Sequence, residues 1–185
     1  WPQLLARLRK TTAALAVALW RWHAAQGQTD AAAAQRLKER SDWDEQKFLL
    51  SQGDLFGIQD FIIAHGSQTR RDAARLLRGR SFQVSLFTEL AALKVLEALQ
   101  LPPTSQITNA AGKFLIVAPN TAEARAQLAA VRTELNNWFL QHSFGLAGLG
   151  LAGKAASSND FLDKQPAHRF QKLMGELFAD LEKAK

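Results

Sequence analysis

What most restricts the fold of this 185-residue chain is the switching of hydrophobic period that begins at Lys47. Phe48-Leu49-Leu50 followed by Gly53-Asp54 reads as a buried strand with the two polar residues at its end. A helical pattern then starts near Asp72 and carries Leu76, Phe82, Leu86, Leu90, Leu93 and Leu96 on one stripe, expected to face the core. Pro102-Pro103 ends it. Ser105 to Asn109 and Lys113 to Ala118 read as short strands around Ala110-Ala111-Gly112, a hairpin in which Gly supplies positive φ. Asn120, with Glu123 three residues on, is expected to cap a helix whose buried face is Leu128, Val131, Leu135 and Trp138. Residues 143 to 153 form a Gly- and Leu-rich strand with a bulge expected near Ala147. Pro166 opens a last amphipathic helix with the stripe Phe170, Leu173, Leu177 and Leu181. Strand, helix, strand, strand, helix, strand, helix is the ferredoxin-like split βαβ plan, an α+β fold with helices on one face of an antiparallel sheet and the other face available.

Around this core, residues 1–26 read as an amphipathic helix and 27–46 as a charged, alanine-rich solvated helix or linker. The chain thus divides into an N-terminal helical segment and linker (1–46), a ferredoxin-like domain (47–153) and a C-terminal helical extension (154–185). Trp20, Trp22, Trp43 and Trp138 are expected to pack helices, with an exposed Trp20 or Trp22 marking a subunit contact. The absence of cysteine excludes disulfides, thiolate metal sites and a cysteine nucleophile. His23, His65, His142 and His168 have no ligand spacing, so no metal cluster is expected, and none begins a His-Asp dipeptide. A net charge of +6 favours polyanionic partners. No apolar run is long enough to span a membrane. The chain starts on Trp rather than Met, as expected of a piece of a longer polypeptide.

Two segments carry candidate chemistry. In Gly53-Asp54-Leu55-Phe56-Gly57-Ile58-Gln59-Asp60-Phe61-Ile62, glycines flank a carboxylate. They either let backbone N–H groups approach a phosphate beside a metal-ligating Asp54, or they merely form a turn with Asp54 as a cap. In Leu77-Arg78-Gly79-Arg80-Ser81-Phe82, a glycine interrupts a helix between two guanidiniums. A helix-interior glycine costs about 1 kcal/mol relative to alanine and usually marks close approach by a backbone or ligand. With Arg70, Arg71 and Arg75 the segment suits phosphates, or forms a solvated basic face.

Together with Gly112-Lys113-Phe114 and Ala118-Pro119-Asn120-Thr121, these segments resemble, in order and spacing, the first palm domain of the large subunit of type III CRISPR effector complexes. That subunit makes cyclic oligoadenylates, and the resemblance is nearest to the type III-A members; Lys10-Thr11-Thr12-Ala13-Ala14 resembles the helix before the palm. The resemblance implies a cytoplasmic protein in which two palms bind ATP with Mg²⁺ across their interface. Its partners would be a second palm domain, other effector subunits and guide RNA. It carries nucleotide contacts onto Gly53, Asp54, Phe56, Gly57 and Gln59 and onto Arg78, Gly79, Arg80 and Ser81. Phe56 stands where the family has Ser, and Ala111 where it has Gly. Nucleotidyl transfer in a palm needs carboxylates at the hairpin tip to hold two metals. Here the tip is Ala110-Ala111-Gly112-Lys113, so this chain alone is expected to hold no metal and to be inactive, as a non-catalytic half-site. The alternative is an RNA-binding or purely structural module of the same complex, stacking bases on Phe48 and Phe114 of an open sheet face.

Overall fold

The computed structural model describes residues 2–63, 70–143, 145–162 and 168–185. Its helices are α1 (Pro2–Ala25), α2 (Ala31–Glu39), α3 (Ile58–Ile63), α4 (Arg70–Ala98), α5 (Ala122–His142) and α6 (Arg169–Lys183). Its strands are β1 (Phe48–Phe56), β2 (Gln106–Ala110), β3 (Lys113–Pro119) and β4 (Gly148–Ala156). The sheet order is β2-β3-β1-β4, with every neighbouring pair antiparallel, so the α+β ferredoxin-like plan holds.

Both faces of the sheet are covered, which corrects the expected open face. Leu49, Leu55, Phe114, Ile116, Leu149 and Leu151 pack under α4 and α5. On the opposite face, Phe48, Leu50, Val117 and Ala152 pack against Ala14 and Ala18 of α1 and Leu173, Leu177 and Leu181 of α6. The helices at the two ends of the chain therefore close the sheet. Phe48 and Phe114 are both buried and present no ring on which a base can stack.

The helix faces also differ from expectation. Leu76, Phe82, Leu86, Leu90 and Leu93 are exposed, and of the expected α4 stripe only Leu96 is buried. The buried ridge is instead Val84, Thr88, Ala91, Ala92, Val95 and Leu96. Smaller side chains let α4 lie closer to the sheet, and the leucines with the same helical period fall outside. Among residues 74–83 of α4 no side chain is buried, so this part of the helix extends past the core. On α5, Phe139 is buried and Trp138 is substantially exposed. Phe170 of α6 is likewise exposed, and Pro166 lies outside the described residues.

The cap of α5 is Thr121, whose hydroxyl accepts from the Ala124 N–H at 3.1 Å. Asn120, the expected cap, is buried one residue earlier and donates to the Gln46 carbonyl at 2.7 Å, closing the entry to β1. No bulge occurs at Ala147: β1 and β4 pair without interruption from Phe48↔Ala156 to Phe56↔Gly148. The glycines disturb the apolar alternation because neighbours fill the space above them. The Phe56 ring lies over Gly148 and the Lys185 chain over Gly150. Among the described residues the register shifts in β2, between Gln106 and Thr108.

Lys47 is fully buried where α1, the segment after α2 and β1 meet. Its ammonium pairs with Asp42, reaches His23 Nε2 at 3.2 Å and sits 5.1 Å from the Trp22 ring centre. Trp22 is accordingly buried, whereas Trp20 is exposed.

Candidate functional site

The alternation of β1 decides where each candidate points. Odd residues Leu49, Gly53 and Leu55 face α4 and α5; even residues Phe48, Leu50 and Asp54 face α1 and α6. Gly53 and Asp54 do not lie in a turn, because the strand continues to Phe56. A Cβ at Gly53 would stand 2.2 Å from Phe114 Cζ, so this glycine makes room for a core ring. Phe56 is half-buried across Gly148, where a Cβ would come within 2.4 Å of the ring. The position where the resemblance expects Ser is thus occupied by a ring packed on β4.

Asp54 is the most constrained of the candidates. Its side chain is 6% exposed and accepts from Lys113 Nζ at 2.8 Å and Lys185 Nζ at 2.7 Å. Lys113 is its cross-strand partner at the start of β3, and Lys185 follows α6. The Asp54 hydrogen bond, helped by Glu182, raises the Lys185 ammonium above its ordinary pKa. Two ammonium groups around one carboxylate leave a poor cation ligand. Among the described residues no group of three His, Asp or Glu side chains is placed to hold a metal ion. The described residues therefore do not fit Mg²⁺.

Gly57 ends the strand at φ 73°, and a Cβ there would meet the Leu146 carbonyl at 2.0 Å. This glycine serves a left-handed turn and a tight backbone approach at once. Gln59 follows, exposed, on α3. The hairpin tip sits against the same helix, since a Cβ on Gly112 would come within 2.9 Å of Ile58 Cδ1. The far end of α3 is tied to α4 by Arg80, whose Nη1 donates to the Ile62 carbonyl at 2.8 Å. Arg78 and Ser81 are exposed on α4, with Arg78 donating to Ala74 of its own helix. Between them a Cβ on Gly79 would meet nothing within 4 Å among the described residues.

The nine sequence candidates thus separate. Gly53, Asp54, Phe56 and Gly57 are engaged in packing, ion pairs or a tight turn inside the fold. Gln59, Arg78, Gly79 and Ser81 are exposed, and α3 joins them to the hairpin tip and to Arg80. Reading the residues singly missed Lys113 and Lys185. The first was available from strand register, as it opens the strand opposite Asp54; the second comes from 131 positions away and carries no local signal.

Residues 47–185 match a family model described as Csm1 subunit domain B. A relative from Mycobacterium tuberculosis (strain ATCC 25618 / H37Rv) is described as the CRISPR system single-strand-specific deoxyribonuclease Cas10/Csm1 of subtype III-A. It is 30% identical over 153 residues, which is 83% of this chain and 18% of the relative's length. The solved Csm1-Csm4 cassette in complex with pppApA superposes with a TM-score of 0.84 at 27% identity, over 98% of this chain and 24% of that one. The cassette in complex with AMPPNP gives 0.80 at 26% identity, over 98% and 23%. With a family match that runs from β1 through α6, the chain belongs to the Cas10/Csm1 family of subtype III-A CRISPR systems, in which it corresponds to Csm1 subunit domain B.

Proposed function

We propose that this domain is a non-catalytic, nucleotide-binding palm that offers one side of an ATP site to a second palm. In this reading α3 and the Arg78–Ser81 stretch of α4 face the nucleotide. The carboxylates that hold Mg²⁺ come from the other palm, because Asp54 is taken by two lysines. The domain does no chemistry alone. Its setting is the cytoplasmic effector complex with guide RNA and a Csm4-type subunit, in keeping with the cassette structures it resembles.

The observation that carries the reading is Gly79. Glycine inside a helix costs about 1 kcal/mol relative to alanine. At Gly53 and Gly57 the fold itself demands the missing Cβ, whereas at Gly79 the space is open among the described residues. We read this glycine as making room for a group that approaches α4 between two exposed polar side chains, Arg78 and Ser81. A triphosphate suits the cations there.

The test is a pair of measurements on Gly79→Ala. In the chain alone, melting is expected to rise by the helix-propensity gain of about 1 kcal/mol. On a polypeptide bearing both palms, titration with ATP and Mg²⁺ is expected to show a weakened affinity relative to wild type. Unchanged affinity, or equal wild-type affinity of one palm and two, refutes the shared site. A structural role with RNA draws no support from the sheet, whose faces are both covered.

A further inference from the structure

We infer that the outer edge of β4 takes up an extended, acidic segment of a partner polypeptide as a fifth strand of the sheet. β4 is the edge opposite the β2-β3 hairpin, so this reading is independent of the nucleotide one.

The two edges of the sheet are built differently. β2 has five residues and its pairing shifts register between Gln106 and Thr108, and short, irregular strands are a common way of keeping an edge from pairing further. β4 has nine residues in uninterrupted register with β1, and none is proline. Its one charged residue, Lys154, is drawn onto α6 by Glu176 at 3.1 Å and Asp180 at 3.5 Å. β4 thus carries none of the usual obstacles to an added strand.

The direction of its backbone groups follows from the ladder. The Leu55 N–H donates to the Gly112 carbonyl of the hairpin, so odd residues of β1 bond toward β3 and even ones toward β4. On β4 the even residues from Gly148 to Ala156 pair with these and bond inward, which turns the N–H and C=O groups of Leu149, Leu151, Gly153 and Ala155 outward. Asn136 of α5 meets the first of them, accepting from the Leu149 N–H at 3.1 Å. Beyond it, no hydrogen bond reaches the outward groups of Leu151, Gly153 or Ala155 among the described residues. Leu151 is 1% exposed, so its outward N–H and C=O are shielded from water without a partner, a state that folded proteins rarely leave. A neighbouring strand satisfies all three positions at once.

The surroundings of this edge set the chemistry of the occupant. A cavity of about 410 Å³ lies along the same stretch of β4, between Arg125 and Arg132 of α5 on one side and Asp180 and Ala184 at the end of α6 on the other. Asp180 is held by Lys154 and Lys183, whereas neither guanidinium has a carboxylate partner among the described residues. Arg125 and Arg132 stand two helical turns apart and point the same way. An added strand alternates its side chains, so carboxylates on one side meet the two arginines while small apolar residues on the other lie against Ala184. The occupant is therefore a segment with acid at alternate positions.

The test uses the 185-residue chain and a fluorescein-labelled heptapeptide of alternating glutamate and valine, read by anisotropy and by amide hydrogen exchange. The peptide is expected to bind saturably and to slow exchange at Leu151, Gly153 and Ala155, while Gly150, Ala152 and Lys154, already bonded to β1, exchange as before. Of two versions methylated at alternate backbone nitrogens, one is expected to lose binding and the other to keep it, because only one edge of the peptide pairs. Reversing both charges, with Arg125→Glu and Arg132→Glu together, is expected to weaken the glutamate peptide about ten-fold and to admit a lysine-valine peptide. Ala155→Pro removes an outward N–H that the β1 ladder does not use, so it is expected to melt near wild type and to lose the peptide. Should that variant not fold, the methylated pair decides alone. The inference fails if the wild-type chain does not bind the glutamate peptide, if the two methylated versions behave alike, or if the lysine-valine peptide binds the wild type equally well. It also fails if the chain self-associates through the same three amides and excludes the peptide, since the occupant is then a second copy.

Discussion

Gly53→Ala puts a single methyl group against the middle of the core. Its Cβ would stand 2.2, 2.3 and 2.8 Å from three carbons of the Phe114 ring, against an ordinary contact of 3.4–4 Å. The ring would have to retreat by more than 1 Å, yet Phe114 is 1% exposed and packed between the sheet, α4 and α5. Interiors are dense enough that such overpacking costs about 1–3 kcal/mol, and three overlapping carbons point to the upper end. For a domain of this size about 3 kcal/mol lowers the melting temperature by roughly 6–12 °C. Circular dichroism melts of the chain without nucleotide measure this directly. Shortening the opposing side chain separates packing from any other cause: Gly53→Ala combined with Phe114→Leu is expected to lose less than the sum of the two single changes. If Gly53→Ala melts with the wild type but loses ATP in the two-palm polypeptide, Gly53 is a ligand contact and the assignment to packing is wrong.

Two further changes test other parts of the structure. Ala111 adopts φ 54° at the hairpin tip, a conformation that costs an L side chain about 1–2 kcal/mol, so Ala111→Gly is expected to raise stability by up to about 1 kcal/mol in urea melts. Burial, and next to it the charge of Lys47, hold the His23 imidazole below its ordinary value of 6.5. The unfolded chain then binds the extra proton first as pH falls. Stability is expected to be full above about pH 7 and to decline as pH drops below 6.5, with a flatter urea-midpoint profile for His23→Gln.

The sheet was legible because strand periodicity and hairpin chemistry are local. Lys113 to Ala118 was expected as β3 and the strand runs Lys113–Pro119, with the turn where Ala111 and Gly112 both take positive φ. Helix faces were less legible. In α4 two stripes share one period, and the choice between Leu86-Leu90-Leu93 and Val84-Ala91-Val95 depends on how near the sheet the helix lies, which is a tertiary quantity. The closed second face was hidden for a similar reason. The stripes of α1 and α6 were visible, but their common target was not, because it joins residues more than 150 positions apart. At the site, the glycine motif was recognisable while the purpose of each glycine was not. Gly53 answers to Phe114, Gly57 to the Leu146 carbonyl, and Gly79 to nothing described in this chain. Asp54 could be singled out from its position, but its two lysines come from a neighbouring strand and a distant terminus.

The closure of one sheet face by α1 and α6 governs when the domain becomes stable during synthesis. β1 lies between β3 and β4, and the apolar row of Phe48, Leu50 and Val117 is covered only in part, by Ala14 and Ala18 of α1, until Leu173, Leu177 and Leu181 have left the ribosome. The nascent chain must therefore carry a greasy half-built sheet while the residues from Pro119 to Leu181 are added, a window in which chaperones bind and aggregation competes.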